Sequence, residues 1–390
     1  MRRMLLTAAL LLGGVSARAQ SLDDLNIQIH GYATQGFLYT TQNNIFTTQS
    51  SNGSPEWSEA VVNVTAQPMP KLRVGVQARY FILGNFGDKI TLDWAAADYK
   101  ANDLFGVRFG KVKTPSWLFN EIQDIDPSYM WSVLPQSIYP LSSRNSNLAH
   151  YGGVVYGTVN LQKAGKLEYR GWGGEREIPA DDGYWAPFAE EGINIYSGVG
   201  TPIYGAALHW KTPLPGLMLG ASIAHTNASS SPFNATYIVP GEDVTITTPG
   251  VFKLGSSNAP DFFGHYEKNK VMFAAEYQHV SGSLFLQGLS PAPERATIHS
   301  WYAMGSYKLS DKMTLGVYDS QEFNLNAAYS PSRFSKDWAI SGRYDFNQFL
   351  YAKAEQHFID GTLLSYDTAL NPNGLKPDTR LTVLKIGVSF

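Results

Sequence analysis

Apolar and polar residues alternate one by one along most of this chain, the period of an extended strand whose successive side chains point to opposite faces. The sharpest example is 378–390. Thr382, Leu384, Ile386, Val388 and Phe390 share one face there, while Leu381, Val383, Lys385, Gly387 and Ser389 share the other. The first face turns steadily more apolar, and the second carries a charge and small groups. Such a strand suits a wall with hydrocarbon on one side and water on the other. The same period predicts strands over 25–40, 59–69, 72–83, 89–101, 104–114, 150–160, 166–176, 203–212, 217–227, 270–280, 283–290, 296–309, 312–323, 337–346, 349–358 and 379–390. These make about sixteen strands, an even number that suits a single-chain transmembrane barrel.

The joints between strands fall into two kinds. Pro68-Met69-Pro70-Lys71, Asn102-Asp103, Lys163-Ala164-Gly165, Pro213-Leu214-Pro215-Gly216, Ser310-Asp311 and Asn347-Gln348 are short and rich in turn formers. They alternate with long segments at 41–58, 177–202, 228–269 and 360–378. Short turns at one end and long loops at the other are the asymmetry of an outer-membrane barrel. The expected fold is therefore all-β, an antiparallel transmembrane barrel.

Alternation also assigns the charges. Leu72, Val74, Val76, Ala78 and Tyr80 share one side of their strand, and Arg73, Gly75, Gln77 and Arg79 the other. An Arg or Lys on the lipid face costs about 2–4 kcal/mol at the midplane, so the charged side must face inward. By that rule the lumen holds Arg73, Arg79, Arg108, Lys166, Arg170, Arg343, Lys353 and Lys385 against Asp93, Glu168, Glu276, Asp345 and Glu355. Most of these simply solvate a wet wall, and the cationic excess points to a weak preference for anions.

One segment breaks the pattern. Residues 115–148 show little alternation yet carry Trp117, Phe119, Tyr129, Trp131, Leu134, Ile138 and Tyr139, which need cover. A long loop in a compact domain is usually functional. The barrel interior offers that cover, so 115–148 is expected to fold inward and constrict the lumen; a subunit interface is the competing site. Glu121, Asp124 and Asp126 on this loop are expected to face Lys111, Lys113 and Arg144 across an aqueous gap. Calcium binding by the three acids is the alternative.

The remaining composition narrows the class. Residues 1–19 read as a cleaved secretory signal: Arg2 and Arg3, a short apolar core, then Ala17-Arg18-Ala19. There is no cysteine, so no disulfide framework and no thiolate chemistry. Without Arg2, Arg3 and Arg18 the formal charge of −3 becomes −6, which argues against a nucleic-acid partner. Beyond the signal no apolar run reaches membrane-helix length.

The stretch Phe105-Gly106-Val107-Arg108-Phe109-Gly110-Lys111-Val112-Lys113-Thr114-Pro115, followed by Leu118-Phe119-Asn120-Glu121, resembles the G-x-x-K-x-P…N-E stretch of the phosphate-selective porin O and P family and related trimeric porins. The resemblance is specific over 104–153 and architectural elsewhere. It implies a sixteen-stranded trimeric barrel with an inward third loop, and it marks Arg108, Lys111 and Lys113 as lining the pore. Ser116-Trp117 departs from the small residues many relatives carry after the proline. The lysine cluster behind phosphate specificity has no counterpart here, so that trait does not transfer. The aromatic residue at 390 likewise resembles the signal that outer-membrane assembly machinery reads.

No nucleophile elbow, zincin, Walker or dinucleotide motif occurs, and the eight histidines are scattered, so neither an enzyme nor a cofactor or metal is expected. The expected protein is an exported porin of the Gram-negative outer membrane. Its partners would be membrane lipid, lipopolysaccharide, two further copies of itself and small hydrophilic solutes. A channel for hydrophobic solutes and an exported carbohydrate-binding β-protein are the alternatives.

Overall fold

The computed structural model describes residues 25–238, 245–364 and 368–390, so the signal segment 1–19 lies outside the described residues. Sixteen of the described strands close into one antiparallel barrel. Around the wall they run β1 (Gln28–Thr40), β2 (Ser54–Met69), β3 (Leu72–Leu83), β4 (Phe86–Lys100), β5 (Gly106–Lys113), β6 (Ala149–Asn160) and β7 (Lys166–Ile178). Then come β9 (Val199–Lys211), β10 (Leu217–Thr226), β13 (Ser257–Lys268), β14 (Val271–Gln287), β15 (Glu294–Lys308), β16 (Met313–Asn324), β17 (Phe334–Asp345), β18 (Leu350–Gly361) and β19 (Asp378–Ser389). β1 pairs with β19 as well as β2, from Tyr32↔Ser389 to Thr40↔Leu381. The seam is completed at its foot, where Phe390 N–H donates to the Gly31 carbonyl at 3.0 Å and Gly31 N–H to the Phe390 carbonyl at 3.1 Å. Closure leaves no unpaired edge, which a chain surrounded by lipid cannot tolerate.

Alternation orients the wall as the sequence pattern requires. Leu384, Ile386 and Val388 are 49%, 49% and 45% exposed, whereas Val383 and Lys385 on the opposite face are buried. Phe262, Phe273, Tyr307, Trp338 and Ile340 continue the exposed apolar band around the barrel. The connections at one end are all short, and those at the other are long except for Gly84-Asn85 between β3 and β4.

Two strand assignments differ from expectation, and their errors cancel in the count. β14 is one strand of 17 residues, where the sequence pattern gave two. Ser281-Gly282-Ser283 looks like a turn, yet Gly282 pairs in register with Ala296. β13 lies within 228–269, which was expected to be loop. Pro260, Asp261 and Gly264 dilute its alternation, and Phe263 is buried on the inward side.

The same long segment also carries β11 (Ser229–Ile238) and β12 (Thr245–Leu254). β11 pairs with the short β8 (Ile193–Ile195), and β12 with the upper end of β14. This small sheet forms a hood over the long-loop end. Its own core contains Ile178, Trp185, Ile193, Phe233 and Phe252, with the Trp185 and Phe252 rings edge to face at 5.0 Å. The carbohydrate-binding alternative assumed a soluble β-fold; a closed barrel with an apolar outer band replaces it.

Candidate functional site: the lumen and its inward loop

The loop 114–148 leaves β5 and folds into the barrel. Met130, Trp131, Leu134, Ile138 and Tyr139 pack on Tyr302, Met304, Tyr318 and Ala339 of β15–β17. Val133 joins a second cluster with Leu38, Trp57, Phe81, Leu83, Leu381 and Val383. Gly316 makes room for this packing, since a Cβ there would stand 2.6 Å from the Trp131 ring and 2.7 Å from the Met130 sulfur. Gly316→Leu is expected to push Trp131 off the wall and lower the temperature of the barrel's unfolding transition; an unchanged transition would show that this contact does not hold the loop.

Charged clamps fix the loop to the wall. Asp126 accepts from Lys353 Nζ at 3.0 Å, Lys385 Nζ at 2.8 Å and Tyr351 Oη at 2.7 Å. Lys353 also donates to the Asp126 and Trp131 carbonyls, at 2.8 and 2.9 Å. Glu355 takes the Ser132 and Val133 amides at 2.6 and 3.1 Å, and Glu276 takes the Leu118 amide and the Tyr139 hydroxyl at 2.8 and 2.6 Å. Arg343 donates to the carbonyls of Pro127 and Tyr129, at 2.7 and 2.9 Å. On the other side, Lys113 Nζ reaches Asp124 Oδ2 at 2.6 Å, Gln77 donates to Asp124 at 2.8 Å, and the Tyr32 hydroxyl donates to its carbonyl at 3.0 Å. Arg144 makes a two-pronged pair with Asp93, both contacts 2.9 Å, and Arg79 pairs with Glu59 at 2.5 Å.

These distances correct the expected aqueous gap. Asp124 and Asp126 are 0% and 1% exposed and bonded directly to their cations. Arg79, Arg144 and Lys353 are buried in the same way. Away from water such pairs hold only because every charge is answered, and so they anchor the loop; they do not line water. Lys111 is also displaced from its expected place. Its side chain meets the Leu92 carbonyl and lies 5.6 Å from the exposed Tyr151 ring, on the face of β5 opposite Arg108. Lys111 lies three positions from Arg108, and an odd spacing in a strand changes faces. Lys113 is five positions from Arg108 but is the last residue of β5, and there its side chain turns in to Asp124. The alternative of calcium bound by Glu121, Asp124 and Asp126 fails on the same contacts, because Lys and Arg already occupy all three carboxylates.

A second set of charges keeps water contact. Arg108 pairs with Glu121 at 2.7 Å and Asp98 at 3.0 Å; Glu121 also faces Arg170 at 3.5 Å. Arg170 continues to Glu168 at 3.3 Å, and Glu168 to Lys211. His209 lies against Arg170 at 2.8 Å, and the Tyr156 hydroxyl donates to Asp98. This ladder crosses β4, β5, β7 and β9 and meets the loop only at Glu121. Arg108, Asp98 and Glu121 are about 30% exposed (31%, 30% and 28%), which separates them from the dry clamps. Of the expected site residues, Arg108 and Glu121 stand in this wet strip, and Arg73 is exposed beside it on β3. Asp98, Tyr156 and His209 went unrecognised, because the register that sets Asp98 opposite Arg108 is invisible to a one-strand pattern.

The hood reaches the loop as well. A Cβ on Gly183 would stand 2.4 Å from the Ser142 carbonyl, and next to it Asp182 is buried. Burial pushes the Asp182 carboxyl up to about 6, against the opposing pull of the Tyr184 N–H and Arg176. That value lies above the usual carboxylate range near ~3.9, so ionising Asp182 opposes packing. The contact keeps full stability below about pH 4 and weakens as pH rises through 6. Amide exchange across 181–185, corrected for intrinsic rates, is expected to slow between pH 7 and pH 5, and Asp182→Asn to abolish the dependence.

No protein-family model matches the chain, and no curated protein matches its sequence. Solved structures do match its fold. A trimer form of in-vitro folded OmpT, an outer membrane protein of Vibrio cholerae, is 12% identical over 94% of this chain and 99% of its own, with a TM-score of 0.53. Salmonella typhi OmpF in complex with daunomycin is 13% identical over 95% and 99%, at 0.57. An anion-selective porin from Comamonas acidovorans is 8% identical over 94% and 99%, also at 0.57. At these identities the likeness is one of architecture, and the architecture is that of the sixteen-stranded outer-membrane porins.

Proposed function

We propose that this chain is an outer-membrane porin, a passive aqueous channel for small hydrophilic solutes with a weak preference for anions. The observation that carries the reading is the division of the lumen: one side is filled and dry, and the other keeps a strip of partly exposed charges along β4–β9. Ions following that strip pass Arg108, Glu121 and Arg170 at contact range, where screening by bulk water is poor. The strip and the space below it hold Arg73, Arg108, Lys166, Arg170 and Lys211 against Asp98, Glu121 and Glu168, a cationic excess. The porin from Comamonas, described as anion-selective, is in keeping with this. Phosphate selectivity is not part of the proposal. Purified protein in a planar bilayer is expected to give discrete ohmic steps in KCl, with a reversal potential displaced toward chloride. A folded protein that never conducts would overturn the reading.

Self-association belongs to the same proposal. The outward face of β1–β5 carries a run of small residues, Ala33, Ala60, Ala78, Ala95 and Ala97, set among larger groups such as Phe37, Ile90 and Phe109. Lys111 lies on this arc, where lipid would make its charge costly by about 2–4 kcal/mol at the midplane. A neighbouring barrel packed there would relieve both features. Ala60→Trp is expected to lower the trimer fraction seen by cross-linking in mild detergent; an unchanged trimer would place the interface elsewhere.

A further inference from the structure

Beneath the inward loop, at the short-turn end of the barrel, lies a cavity of about 660 Å³ against β1–β5. Its lining is unusual for the inside of a porin. Val61, Trp94 and Val112 face it from the wall and Ile125 from the loop, where alternation predicts polar groups. Gly75 leaves space for the indole, since a Cβ there would stand 2.9 Å from the Trp94 ring.

Polar groups such as Asn63, Gln77, Asp98 and Glu121 share the lining with these apolar ones, and one charge among them is unanswered. Arg73 is exposed and has no carboxylate within ion-pair distance among the described residues. Its one side-chain hydrogen bond goes to the Thr65 hydroxyl at 3.2 Å. Asp98 stands opposite it in register, yet that carboxylate is engaged by Arg108 and Tyr156. The other cations on the lining are also committed, Arg108 to Glu121 and Asp98, and Lys113 to Asp124.

We propose that this chamber is a solute-binding site for a small aromatic carboxylate, with the carboxylate on Arg73 and the ring against Trp94 and Ile125. The inference rests on the porin reading and names a solute class for it. The volume falls within the range of roughly 300–1,000 Å³ typical of small-molecule sites. A guanidinium offers a planar carboxylate two parallel hydrogen bonds. The apolar walls favour a hydrocarbon body over a hydrated inorganic anion, whose shell they cannot replace. Placed after the constriction, such a site holds the solute briefly on its way out and raises flux at low concentration.

The test is block of the chloride current by benzoate added on the short-turn side of a planar bilayer, with acetate, phosphate and benzamide at equal concentration as comparators. Benzoate is expected to block at lower concentration than acetate or phosphate, which lack the ring, and than benzamide, which lacks the charge. Arg73→Gln should raise the half-blocking concentration of benzoate by about tenfold, as expected for losing a charged hydrogen bond, and Arg73→Lys by less. Equal block by benzoate and acetate, or an unchanged benzoate block in a conducting Arg73→Gln channel, would overturn the site and leave the porin standing. Absence of any chloride current would instead remove the porin reading and this inference with it.

Discussion

Replacing Asp126 by Asn is expected to release the inward loop. Lys353 and Lys385 would be left as two buried ammonium groups with no counter-charge, at 2% and 4% exposure. Removing one partner from a buried ion cluster typically costs about 3–5 kcal/mol, well above the effect of an exposed pair. The heat-modifiable gel transition should move to lower temperature, and single-channel records should become larger and noisier. Adding Lys353→Met and Lys385→Met to the same variant should recover much of the loss, because apolar groups of similar size need no partner. Failure of that rescue would mean the clamp is not electrostatic. The native clamp should also tolerate mild acid. Burial alone would raise the Asp126 carboxyl, but the Lys353 and Lys385 charges hold it well below the usual carboxylate range. Its stabilisation is therefore present above the ordinary carboxylate value and is lost only as pH falls through that lowered one.

The second large effect is expected at the wet strip. Arg108→Glu with Arg170→Glu leaves Asp98, Glu121 and Glu168 clustered, with their three cationic partners reduced to Lys211. The reversal potential under a KCl gradient should change sign, from chloride-favouring to potassium-favouring. The change should be large near 0.1 M salt and much smaller at 1 M, where the screening length falls from about 10 Å to about 3 Å. An unchanged reversal potential would show that ions pass elsewhere. Lys111→Glu serves as the contrast: facing outward, it should leave selectivity almost untouched.

Much of the architecture was legible because a period of two is local. Each strand announces its own lipid face, as 378–390 does, and an apolar loop such as 115–148 announces its need for cover. What stayed hidden was relational. Asp126 reads as an ordinary loop acid until Lys353 and Lys385, more than two hundred residues away, close on it. The same holds for Asp98, which becomes part of the ladder only through its register with Arg108. Lys111 shows the opposite failure. The motif placed it with Arg108, while the odd spacing between the two along β5 already turned it outward; Lys113 escapes that rule because the strand ends there. Charge assigned to a lumen also does not reveal whether that lumen is wet. The aromatic residues of the loop decide this by displacing water from Arg79, Arg144, Lys353 and their partners.

The central claim is that the inward loop fills one side of an otherwise open barrel and leaves conduction to the strip beside it. Single-channel conductance in 1 M KCl, measured for the intact chain and for a folded barrel in which a short Gly-Ser bridge replaces 117–134, tests this most directly. Removing Glu121, Asp126 and Trp131 with the rest of that segment should open the filled side and raise conductance severalfold, with selectivity weakened. Equal conductance in the two barrels would contradict the account.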